Sequence, residues 1–185
     1  MSSDIFSRKI NVADFDIIYA GAQKNMGPAG TTLYIVKDEV LGANERDIPA
    51  MLDLNVHAGK DSMFNTPPVY PVYVSMLNLR HMIKEGGIEK QEQKALERSQ
   101  MVYDEIDNNP LFEGTTARED RSTMNATFVL TDESLEAQFN LLWQEANING
   151  LKGHRSVGGY RASMYNALSI SSVEVLVNTM KKLNK

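Results

Sequence analysis

Two short strand-like runs that cannot make a stable sheet by themselves constrain this chain most. Asp16-Ile17-Ile18-Tyr19-Ala20 reads as a short buried strand. Thr31-Thr32-Leu33-Tyr34-Ile35-Val36 reads as a β-branched one, bounded by Gly30 and the polar Lys37-Asp38-Glu39. An isolated pair of strands is marginal in water, so residues 1 to about 60 are expected to be part of something larger. Between the strands lies Gly21-Ala22-Gln23-Lys24-Asn25-Met26-Gly27-Pro28-Ala29-Gly30. Small residues there let the backbone approach a flat ring or a phosphate closely. A lysine in such a turn suits an amine held beside a small ligand. Desolvation disfavours an ammonium, and a neutral amine can attack a carbonyl. Taken alone, such a turn is better read as carrying an ordinary strand-to-loop lysine.

Downstream the period changes from two to 3.6. After Pro67-Pro68, the residues Val69, Val72, Tyr73, Met76, Leu77 and Ile83 recur at helical spacing up to Gly86-Gly87. A second helix is expected from about Ile88 to Asp107, with Leu96, Tyr103 and Ile106 on one face, ended by Asn108-Asn109-Pro110. The glycine pair is a natural hinge or domain boundary. The last third reads as a small β-α-β-β-α domain. It has a strand at Asn125–Leu130 and a helix capped by Asp132, with Leu135, Phe139, Leu142, Trp143 and Ala146 in one stripe. Two short strands at 152–156 and 160–164 follow. A Ser171-x-x-Glu174 capping box then opens a final helix with Val173, Leu176, Val177, Met180 and Leu183 inward.

Composition excludes several kinds of chemistry. The 185 residues suffice for one domain with a sizeable core or two small ones. A net charge of -5 gives no basic field for nucleic acid or an anionic membrane, so neither is expected as a partner. There is no cysteine, which removes thiolate catalysis, disulfides and Cys-based metal sites. His57, His81 and His154 lack the paired spacing of a zinc site, and no metal is expected. No apolar run approaches membrane-spanning length, and Met1-Ser2-Ser3-Asp4 lacks the layout of a signal peptide, so a cytoplasmic location is expected.

Two further segments bear chemistry. Gly153-His154-Arg155-Ser156-Val157-Gly158-Gly159-Tyr160-Arg161 places two arginines and a histidine on a short turn of an otherwise acidic chain. Guanidinium forks match carboxylate and phosphate oxygens at two points, so the segment suits a small dianion. A solvated hairpin with salt bridges to nearby Glu is an equal reading of those residues alone. In Asp61-Ser62-Met63-Phe64-Asn65-Thr66-Pro67-Pro68, Asn65 and Thr66 could offer an amide and a hydroxyl to a phosphate near a helix start. Helix capping is the simpler reading of that pair by itself.

Together, Met1-Ser2-Ser3-Asp4, Tyr19 to Asn25, Gly27-Pro28-Ala29-Gly30, Phe64 to Pro68 and Lys152 to Gly159 resemble the phosphoserine aminotransferase family. Its members are fold-type-I, class-V enzymes dependent on pyridoxal 5'-phosphate. The resemblance implies an α/β fold: residues 1–90 as part of the large cofactor-binding domain, and residues 91–185 as the small C-terminal domain. It implies Lys24 as the Schiff-base lysine and proton carrier, and Gln23 on the cofactor phosphate. Asn65 and Thr66 are implied to reach the cofactor phosphate of a neighbouring subunit, which makes a homodimer the expected unit. Arg161 is implied to clamp the substrate α-carboxylate, with His154 and Arg155 on the phosphate of phosphoserine or the distal carboxylate of glutamate. The reaction implied transfers an amino group between glutamate and 3-phosphohydroxypyruvate, giving 2-oxoglutarate and phosphoserine, in serine and pyridoxine biosynthesis.

The family pattern also has an aspartate immediately before the Met-Ser-Ser stretch, pairing with the cofactor's pyridine nitrogen. Its ring-stacking aromatic residue, Gly-rich phosphate loop and an arginine that assists the substrate phosphate precede that aspartate. The chain is therefore expected to be a C-terminal half, incompetent by itself, with apolar surfaces in residues 1 to about 90 left uncovered. A non-catalytic dimerisation or binding module is the alternative. A cysteine desulfurase reading is disfavoured by the absence of cysteine and by the His154-Arg155 pair.

Overall fold

The computed structural model describes residues 1–43 and 46–183. The chain forms two compact units, Met1–Ile88 and Glu89–Lys185. In the first unit, β1 (Ile17–Gly21) and β2 (Thr32–Val36) pair antiparallel, with Ile17 opposite Val36 and Gly21 opposite Thr32. Period-two alternation sends Ile18 and Ala20 inward, onto Ile5, Ala22 and Met26. It sends Ile17 and Tyr19 outward, so the expected buried strand is buried on one face only. Tyr19 stacks on Tyr34 across the outer face, with ring centroids 6.2 Å apart.

A short helix, α1 (Leu54–Ala58), starts where the Asp53 side chain accepts a hydrogen bond from the Asn55 N–H at 2.9 Å. The longer α2 (Val69–Lys84) begins directly after Pro67-Pro68. Its apolar residues do recur at helical spacing, but that stripe is not the packed one. Val69, Val72, Tyr73, Leu77 and Ile83 are exposed, whereas Ser75 and Met82 are buried. The inward face of α2 thus mixes Ser75 and Asn78 with Leu79 and Met82, and the reason for the small and polar members lies in the turn it touches.

In the second unit, α3 (Gly87–Asn108) precedes a three-stranded antiparallel sheet, β3 (Phe112–Gly114), β4 (Asn125–Leu130) and β5 (Tyr160–Ser163), in that order. Helix α4 (Glu136–Glu145) connects β4 to β5, and α5 (Ile170–Leu183) closes the unit. The order α-β-β-α-β-α corrects the expected β-α-β-β-α: β3 precedes β4, and residues 152–156 form no strand. Lys152 makes a single bridge to Tyr160, after which the chain turns.

One core fills this unit. Phe112, Phe128, Phe139 and Tyr160 pack edge-on or stacked at 4.9–6.5 Å, and Val173, Leu176, Val177, Met180 and Leu183 seal them from α5. Burial pushes the Tyr160 phenol up to about 12. The face of α3 that packs inward carries Ala95, Val102, Tyr103 and Ile106; Leu96, expected there, is exposed. The buried Arg98 guanidinium donates to the carbonyls of Asn166 (3.3 Å) and Leu168 (2.8 Å), tying α3 to the turn before α5. Ser169 caps α5, its Oγ accepting from the Ser172 N–H at 3.1 Å, so the cap lies two residues earlier than the Ser171 box predicts. Among the described residues, no helix is long and apolar enough to cross a membrane, and no cluster of His, Asp and Glu could hold a metal ion.

Candidate active site

Lys24 occupies the turn that leaves β1, and that turn is fixed from three sides. The Ala22 carbonyl accepts from the N–H groups of Met26 (3.0 Å) and Gly27 (2.8 Å), while the Ala22 N–H donates to the Thr31 carbonyl at 3.0 Å. From the N-terminal side, the buried Asn25 amide donates to the carbonyls of Ser3 and Ile5, both at 3.0 Å, and the Gly21 N–H donates to Ser2 Oγ at 2.8 Å. From the α2 side, the Asn78 amide donates to the carbonyls of Asn25 (3.2 Å) and Met26 (2.8 Å). A Cβ on Gly27 would come within 2.6 Å of Ser75 Oγ, so glycine at 27 and a small residue at 75 are what let the helix close on the turn. That close approach explains the small residue Ser75 on the inward face of α2.

The result is a half-buried lysine on a backbone that has few alternatives. Gln23 beside it is exposed, its amide oxygen folded over Gly21 into space that a side chain at 21 would need. Asn65 and Thr66 are exposed on the segment that leads into α2, with the Asn65 amide donating to the Thr66 carbonyl at 3.1 Å. Gln23, Lys24, Asn65 and Thr66 all belong to the first unit. Ser2, Ser3 and Asn25 lie within sequence motifs that gave them no clamping role, and Asn78 lies in none. Only Asn25 lies close enough along the chain to Lys24 to have drawn attention.

His154, Arg155 and Arg161 belong to the second unit. The first two sit on a turn closed by the Gly153 N–H to the Gly159 carbonyl (2.8 Å) and by the His154 carbonyl, which accepts from Val157 (2.9 Å) and Gly158 (2.8 Å). A Cβ on residue 153 would collide with the Gly158 carbonyl oxygen. Both side chains are exposed. Arg161 projects from the outward side of β5, between the buried Tyr160 and Ala162. It also lines a cavity of about 340 Å³ with Asn147, Leu151, Ser163, Leu168 and Ser172.

These donors have recognisable uses. A half-buried primary amine suits an aldehyde, an amide and hydroxyl suit a phosphate, and two exposed guanidinium groups with an imidazole suit the two anionic ends of a short substrate. The half-buried amine on this turn therefore suits a ligand that carries an aldehyde.

Comparison with known proteins defines the class. The aminotransferase class-V family model matches residues 1–176, and the chain belongs to that family. Within it, the chain is 57% identical to a phosphoserine aminotransferase of Flavobacterium psychrophilum over 99% of its own length and 51% of the relative's. Among solved structures, the phosphoserine aminotransferase of Bacillus circulans subsp. alkalophilus superposes with a TM-score of 0.94 at 39% identity, covering 99% of this chain and 51% of that one. A pyridoxal-phosphate-bound phosphoserine aminotransferase of Trichomonas vaginalis superposes with a TM-score of 0.89 at 34% identity, covering 98% and 52%. The chain thus spans about half the length of the relatives it matches.

Proposed function

We propose that this chain supplies the lysine-bearing part of a phosphoserine aminotransferase, an enzyme that moves an amino group between glutamate and 3-phosphohydroxypyruvate. The observation that carries the reading is the Lys24 turn: a half-buried amine on a backbone pinned by Ser2, Asn25 and Asn78. Such a fixed amine can be held at one distance from a reacting carbon, which is what repeated proton transfer needs.

Each residue then has one task. The Lys24 amine would hold the cofactor and, when free, would take the proton from the substrate α-carbon and return it. Gln23, Asn65 and Thr66 bind the cofactor phosphate, Asn65 and Thr66 that of a neighbouring subunit in a homodimer. Asn65 must turn its amide away from the Thr66 carbonyl to do so. Arg161 holds the α-carboxylate, and His154 with Arg155 holds the far anion. When bound, pyridoxal phosphate supplies an electron sink for the α-carbanion. The first unit is part of the cofactor-binding domain and the second is the small substrate-binding domain.

Two measurements test the reading. Purified chain mixed with pyridoxal phosphate is expected to develop near-visible absorbance that borohydride reduction fixes as a mass increase on the Lys24 peptide, and Lys24→Ala is expected to abolish both. A folded chain that captures no cofactor contradicts it. The exposed apolar faces of the first unit favour a second reading, a non-catalytic dimerisation module. A stable dimer without cofactor capture supports that alternative. Turnover of glutamate and 3-phosphohydroxypyruvate by the isolated chain overturns the expectation that it is incompetent alone.

A further inference from the structure

We infer that Ser156 is a positioning residue: it fixes the His154 imidazole as an Nε2–H donor, so that the loop offers a hydrogen-bond donor beside Arg155 to the far anion of the substrate. The inference rests on the reading of His154 and Arg155 as the anion clamp.

Two contacts converge on one ring nitrogen. The Ser156 backbone N–H donates to His154 Nδ1 at 3.3 Å, and Ser156 Oγ lies 2.8 Å from the same atom. A backbone N–H has no lone pair and can only donate. Nδ1 must therefore be the acceptor, and the ring proton must sit on Nε2. The Ser156 hydroxyl then also donates to Nδ1, sharing its lone pair. The opposite tautomer would set an N–H against an N–H at hydrogen-bond distance.

The contact is built into the loop. The His154 carbonyl is held by Val157 and Gly158, and Gly153 is tied to Gly159, so the backbone on both sides of the ring is fixed. The ring edge away from Ser156 lies on an exposed residue, where a ligand can reach it. The chemical consequence concerns the sign of the contact. An Nε2–H attracts a phosphate or carboxylate oxygen, whereas a bare Nε2 lone pair repels it. Ser156 thus decides whether the imidazole adds to Arg155 or works against it.

The tautomer is directly observable in the full chain. Long-range proton–nitrogen correlation spectra of ¹⁵N-labelled protein, in mildly alkaline buffer, distinguish the two ring nitrogens. The His154 signals are assigned by their loss in His154→Gln, with His57 and His81 unaffected. The expected result is an Nε2–H pattern in the wild-type chain and in Ser156→Thr, which keeps the hydroxyl. Ser156→Ala keeps the backbone N–H on Nδ1 but loses the hydroxyl's hydrogen bond, so it is expected to keep a mainly Nε2–H pattern with a less firmly held ring, and to bind O-phospho-L-serine about three- to tenfold more weakly, the range for one ordinary hydrogen bond. A wild-type Nδ1–H pattern with phosphoserine binding intact overturns the role of Ser156 alone. So does Ser156→Ala with unchanged affinity. An Nε2–H pattern with no phosphoserine binding by the wild-type chain overturns the clamp reading, and the positioning role with it.

Discussion

The two units use the same alternating and helical patterns but bury them differently. In the second unit, β4 hides Ala126, Phe128 and Leu130, and α4 and α5 close over the sheet. In the first, β1 and β2 have a packed face on Ile5, Ala22 and Met26 and an open one carrying Ile17, Tyr19 and Tyr34. The outward face of α2 adds Val69, Tyr70, Val72, Tyr73 and Leu77, so the first unit holds most of the large exposed apolar side chains among the described residues. Apolar periodicity fixes which residues share a face. Whether that face is dry depends on what lies against it.

The largest test of this contrast is a pair of truncations. Phe128→Ala, at a fully buried position, is expected to destabilise the second unit by about 3–5 kcal/mol in denaturant unfolding. Tyr19→Ala, at a residue 60% exposed, is expected to change stability by less than about 0.5 kcal/mol. A comparable loss at both positions would erase the distinction. Next in size is Asn78→Ala, which removes both α2 clamps on the Lys24 turn. About 1–3 kcal/mol of local stability is expected to go, read as faster amide exchange at Met26 and Gly27. Exchange unchanged there would show that the turn holds without the helix.

Two pH effects sharpen the account of the second unit. The Arg121 guanidinium, bonded to Asp107 at 2.7 and 2.9 Å, holds that carboxyl below its usual range, with burial opposing and Arg118 assisting. A depressed carboxyl stabilises the fold above its unfolded value of about 4, and the contribution is lost as pH falls below that. Asp107→Asn is expected to cost about 1 kcal/mol near neutrality and to flatten the acid limb of the stability curve. Tyr160, pushed up to about 12, works in the opposite sense. Its contribution is complete below the unfolded tyrosine value of about 10 and is lost as pH rises towards 12. Tyr160→Phe is expected to delay alkaline unfolding, measured by far-ultraviolet circular dichroism, and an unmoved midpoint would contradict this.

Long, regular segments are legible in the sequence alone. Strand β4 spans Asn125–Leu130 as its alternation predicts, and α2 starts at the Pro67-Pro68 signal. Short or irregular ones are not. Strand β3 is only Phe-Glu-Gly, too brief to alternate, and exists because it pairs with β4. The run 152–156 turns instead of extending because Gly153 lies against the Gly158 carbonyl, a contact between residues five apart. The α5 cap falls on Ser169 rather than Ser171, since serines at both positions make the motif ambiguous. In the candidate site the residue types were readable, while the clamps from Asn25 and Asn78 and the Ser156 contact with His154 were not.

By itself the sequence determined which side chains carry chemistry: an amine in a small-residue turn, a basic loop in an acidic chain, no thiol anywhere. Those are properties of composition and local spacing, which need no fold to be read. Only the tertiary structure decided that Asn78 of α2 grips the lysine turn and that one imidazole nitrogen is committed to Ser156. Hydrogen bonds depend on distance and direction between groups far apart along the chain or across a tight turn, and neither is written in the order of residues.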